Sequence, residues 1–138
     1  MSAACVTGLE RSYAEISSNI KAMLGILQGA VLFGVKPPGS WNSVDIAFDV
    51  VQNQSLCAME RARRFFPAGA WQGFQLELCD LSACEEMLAA YEGARNTAFH
   101  TVMRLRLDLF WETIPALPSR IQPDDVFVPS MSHCNGVC

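Results

Sequence analysis

The residues best equipped for chemistry lie at the far end of the chain, in Ser130-Met131-Ser132-His133-Cys134-Asn135-Gly136-Val137-Cys138. One imidazole and two thiols fall within the last six residues. Thiolate and imidazole are soft or borderline donors that suit zinc or copper(I). Asn135-Gly136 favours a tight turn that brings Cys134 and Cys138 together. His133, Cys134 and Cys138 are therefore the candidate metal-binding or enzymatically modified residues. A Cys134–Cys138 disulfide and two incidental thiols on a flexible tail are open alternatives. No other cofactor is expected.

Elsewhere the chemistry-bearing side chains read as structural. Cys79 and Cys84 bracket an expected helix start, where the helix dipole lowers a thiol pKa, but small apolar packing at a turn explains them as well. Cys57 reads as core, and Cys5 is uninformative. His100 has no carboxylate four residues away, and neither a Glu-x-x-His nor a His-Glu-x-x-His pattern occurs. Di-iron and zincin chemistry thus lack their ligands. There is no Gly-rich phosphate loop and no Gly-x-Ser-x-Gly elbow. Glu85 and Glu86 read as first-turn carboxylates favoured by the helix dipole. The expectation is a non-enzymatic protein with no catalytic residues.

A chain of 138 residues fits one domain. It is 51% hydrophobic and only 17% charged, with a mean hydropathy of +0.19. Such a chain needs a partner helix, an oligomer or an apolar surface to cover its apolar faces. The net charge of −4 argues against nucleic acid, whose phosphates require a basic field. The basic cluster Arg61, Arg63 and Arg64 reads as a solvated helix end. No stretch approaches the ~18 consecutive apolar residues of a membrane span. The first residues lack a basic region followed by an apolar run, so the expected compartment is the cytosol, with its six cysteines as thiols.

The elements that would position these residues read as helices. Thr7 and Glu10 have capping-box spacing. Leu9, Tyr13, Ile16, Ile20, Met23 and Leu27 recur at intervals of three and four, which predicts a helix over about 8–33. Pro37-Pro38-Gly39 breaks it. Trp41, Val44, Phe48 and Val51 open a second predicted helix, reaching about residue 66. Residues 71–78 fit a third helix or, by the alternation of Phe74, Leu76 and Leu78, a strand. Ser82 and Glu85 form another capping box before a long helix predicted over 83–113, with Met87, Tyr91, Val102, Leu105 and Leu109 along its seam. Pro115 and Pro118 end it. The division expected is a helical domain over 1–115 and a flexible Pro-rich tail over 116–138.

Within this pattern, Val51-Gln52-Asn53-Gln54-Ser55-Leu56 opens an amphipathic helix, Leu78-Cys79-Asp80-Leu81-Ser82-Ala83-Cys84-Glu85-Glu86 forms a break, and a long helix follows through Ala90-Tyr91-Glu92. On these features the stretch from Trp41 to about Trp111 resembles the phasins, helical proteins that coat polyhydroxyalkanoate storage granules. The resemblance implies a cytoplasmic, granule-associated amphiphile without an active site.

The fold expected is all-α: an elongated up-and-down bundle or coiled-coil-like assembly of three to four helices. Ile16, Ile20, Leu27, Phe48, Val51, Leu105 and Leu109 would form its seams or surface-facing stripe. The function expected is a phasin-like coat on an apolar surface such as a storage granule, in a homo-oligomer. The opposed reading is a peptide precursor or carrier whose helical part is recognised by a peptide-modifying enzyme and whose tail is the working part.

Overall fold

The computed structural model describes residues 1–53, 72–122 and 124–127, with the side chains of α2 described from Glu77 onward. It is a parallel α/β sheet, not a helical bundle. The elements run β1 (Ser2–Thr7), a 3-10 turn (Glu10–Ser12), α1 (Tyr13–Gly25), β2 (Val31–Lys36), β3 (Val50–Asn53), α2 (Gln72–Arg95) and β4 (Thr101–Arg106). The sheet order is β3-β2-β1-β4. All three pairings are parallel, with Cys5 opposite Phe33 and Arg104, and Phe33 opposite Val50.

The helices lie on opposite faces. Ala3, Cys5, Val31, Phe33 and Val35 pack with Cys84 and Met87 of α2. Val6, Leu105 and Leu107 pack with Tyr13, Ile20 and Met23 of the α1 layer and with Trp41. Because both faces of the sheet are covered, its central strands carry apolar residues at consecutive positions rather than at alternate ones. Ala3, Ala4, Cys5 and Val6 are all buried. The same holds for Phe33 and Val35 of β2, with Gly34 between them. There a Cβ would come within 2.7 Å of Trp41 Cζ3.

This architecture overturns the all-α reading and with it the helical-bundle and coiled-coil assignments. The helix predicted over 8–33 is confined to 13–25. Thr7 belongs to β1, and no side chain caps the 3-10 turn. Gly29, at φ +68, turns the chain before Val31 enters the sheet. The apolar run Val31-Leu32-Phe33 satisfies a buried strand as well as a helix, and its length does not separate the two.

Of the second predicted helix, residues 41–49 carry no helix and 50–53 form β3, while 54–66 lie outside the described residues. The third segment and the long helix are one element, α2, with Ser82 in its interior rather than at its cap. It ends at Arg95, where Asn96 takes the left-handed conformation that closes many helices. Residues 101–106, predicted helical, are β4. Met103, Leu105 and Leu107 alternate with Arg104 and Arg106, a period of two that also offers intervals of four to a helical reading.

The proposed stripe is therefore dispersed. Ile16 and Ile20 lie on α1, and Leu27 follows it, buried. Phe48, in the β2–β3 connection, stacks on Trp41 at 5.2 Å between ring centroids. Val51 is on β3, Leu105 is buried in β4, and Leu109 lies beyond β4, exposed. Among the described residues, no helix is long and apolar enough to cross a membrane.

Candidate functional site

The sheet order has a topological consequence. From β1 the chain moves through β2 to β3 on one side, then returns across α2 to β4 on the other. The segments leaving β1 and β4 therefore start from adjacent strand ends, and the one after β4 returns to α1, where Trp111 N donates to Asn19 Oδ1 at 2.8 Å and Asn19 Nδ2 donates to Trp111 O at 2.7 Å. In open α/β sheets the crevice at such a switch point, outside the carboxyl ends of the strands, is where ligands sit.

Gly8 follows β1 with φ +96, a conformation that L side chains rarely adopt. A Cβ on it would lie 3.1 Å from Asp108 Oδ1. Leu107 N donates to Thr7 O at 2.9 Å, which joins the two loops at their base. Trp41 Nε1 donates to Gly8 O at 2.8 Å. Trp41 itself has φ +64, an unfavourable conformation for a bulky residue, held by its stacking on Phe48 and by the indole bond. Glu10 Oε2 accepts from Ser43 N and Ser43 Oγ, each at 3.0 Å. These bonds, the backbone one foremost, hold the Glu10 carboxyl below its ordinary range. Tyr13 Oη donates to Asp45, which also pairs with Lys21 at 2.6 Å. Burial and then the Asp45 bond push the Tyr13 hydroxyl up to about 12.

A layer of charge runs from this edge into the α2 face. Thr7 lies opposite Arg106 in the register, and Cys5 opposite Arg104, so all four side chains share that face. Arg106 makes two bonds to Asp108, Nε to Oδ1 at 3.0 Å and Nη2 to Oδ2 at 2.9 Å. Glu77 Oε1 of α2 accepts from Arg104 at 2.8 Å and from Arg106 at 3.4 Å. The Arg106 bond dominates in holding Asp108 low, with the charge of exposed Arg11 adding to it. Arg106 is correspondingly raised, by the Asp108 bond first.

Asp80, 7% exposed, is pushed up to about 6 by burial, against the pull of Arg104 and Arg106. Its folded-state value lies above the unfolded one, so the folded state binds the extra proton between the two. Its stabilising effect is complete below about pH 4 and is lost as pH rises through about 6. Asp80→Asn is expected to remove a fall of up to about 3 kcal/mol from the stability profile between about pH 4 and pH 7. Urea titrations of both proteins across that range check this, and parallel profiles would contradict it.

The structure treats the sequence-derived candidates unequally. His133, Cys134 and Cys138 lie outside the described residues, as do Cys57 and the Arg61, Arg63 and Arg64 cluster. Cys5 and Cys84, expected as thiols, form a disulfide between β1 and α2 across 79 residues. Cys79, expected beside a helix cap, is buried within α2. Among the described residues no group of three or more His, Cys, Asp or Glu is placed to hold a metal ion. Gly8, Asp108 and the charge layer were missed by the sequence reading. The alternation Arg104-Leu105-Arg106-Leu107-Asp108 was the one signal of them, and it was absorbed into a helical period.

No family model, no curated protein and no solved structure matches the chain.

Proposed function

We propose that this chain is a ligand-binding α/β domain, its site the crevice between the β1 loop, residues 8–11, and the β4 loop, residues 107–108, and its ligand a nucleotide. The observation that carries this is the strand order β3-β2-β1-β4, which opens a switch point beside Gly8. Exposed Arg11 would meet a phosphate.

The test is titration of the isotopically labelled chain with a nucleoside diphosphate. Amide shifts should cluster at residues 8–11 and 107–108. Arg11→Ala should weaken binding about tenfold, the effect of losing one charge-assisted hydrogen bond. Shifts confined to the outer helix surfaces, or none, would refute the assignment.

Adsorption to an apolar surface keeps one supporting observation, the exposed Phe110, Val126 and Phe127 beyond β4. Salt-insensitive binding to oil droplets, lost on Phe110→Ser, would favour it. As for compartment, the buried Cys5–Cys84 disulfide supports an oxidising one over the cytosol or a cytosolic granule.

A further inference from the structure

We propose that Asn53 is a site of N-linked glycosylation. Two independent observations meet there. Asn53-Gln54-Ser55 is an Asn-x-Ser acceptor triplet with no proline at its centre, and no other asparagine of the chain has Ser or Thr two positions on. The second observation is the Cys5–Cys84 disulfide, which belongs to the compartments where such transfer takes place. In this respect the inference rests on the oxidising-compartment reading.

The position suits the chemistry. Asn53 is the last residue of β3 and is exposed. Among the described residues, strand β3 lies at the edge of the sheet and pairs only with β2, where Asn53 stands opposite Lys36. A bulky group on Asn53 therefore displaces none of the described core residues. It would also screen an open strand edge against pairing with other chains. Asn53 is remote in the sheet order from β4, with β2 and β1 between them, so a glycan there lies away from the Gly8–Asp108 contact.

The co-substrate is an oligosaccharide carried on a lipid diphosphate. Asn53 Nδ2 attacks the anomeric carbon. The C–N bond forms as the C–O bond to the diphosphate breaks, and the lipid diphosphate leaves with the bonding pair. The amide loses one proton to a base of the transferring enzyme.

The test isolates the full protein from its own cells and maps its peptides by mass, without reductant. Treatment with peptide-N-glycosidase in heavy-oxygen water should convert Asn53 to labelled Asp, in a digest where Cys5 and Cys84 are joined. The full chain behind an added secretory leader should give a glycosidase-sensitive band that both Asn53→Gln and Ser55→Ala abolish. Unmodified Asn53 beside an intact Cys5–Cys84 bond overturns the glycan and leaves the compartment standing. Unmodified Asn53 with both thiols free overturns both.

Discussion

Cys84→Ala is expected to lower the unfolding free energy by about 2–5 kcal/mol, the usual cost of removing a native disulfide. The Cys5–Cys84 bond joins residues 79 apart, and the chain-entropy view assigns a closed loop of that length about 4.5 kcal/mol. It ties the central strand β1 to α2, across a segment containing α1, β2 and β3. In the variant Cys5 stays in an apolar layer, where a thiol packs as a small hydrophobe. The loss should therefore come mainly from the missing constraint. Urea unfolding with and without reductant separates the two contributions. Reductant should destabilise the parent chain to near the level of the variant and leave the variant unmoved. A parent chain equally stable in both conditions would show that the bond does not form or does not matter.

Phe33→Ala should cost about 3–5 kcal/mol, as large-to-small changes of aromatic core residues do. Phe33 is fully buried at the centre of the α2-facing layer. Its ring stands edge-on to Tyr91 of α2 at 5.6 Å and to Phe99, before β4, at 5.8 Å. Truncation empties the contact shared by β2, α2 and the approach to β4. Phe33→Leu keeps much of the volume and should cost less. The same pair of variants discriminates between folds. At the frayed end of an extended helix, Phe33→Ala would cost little. A loss under about 1 kcal/mol would therefore contradict the buried position of this strand.

These two residues illustrate why the sequence misled. Val31-Leu32-Phe33 lies beyond a periodic helical segment, and the period simply extends over it. Within α1 the reading succeeds, because Tyr13, Ile20 and Met23 are local neighbours on one helix face and are all buried. The break at Pro37-Pro38 also stands, since a missing amide hydrogen is a property of the residue itself. The helix through Ala90, Tyr91 and Glu92 is real for the same reason, although it begins and ends earlier than predicted. Arg104 and Arg106 went the other way. They lay inside the helix predicted over 83–113, yet they stand on β4 and face α2, where Glu77 bridges them.

The sequence by itself determined that helix forms within residues 13–25 and through Ala90-Tyr91-Glu92, that the chain breaks at Pro37-Pro38, and that it carries many apolar side chains needing cover. Tertiary structure alone decided that the short apolar runs are parallel strands, that Cys5 meets Cys84, and that Gly8 meets Asp108. The physical reason is the range of the interactions. A helix closes its backbone hydrogen bonds within four residues, so its signal is local. A parallel strand closes them on segments far along the chain. The partners of β1 begin at Val31 and at Thr101, and no window around Ala3 contains either.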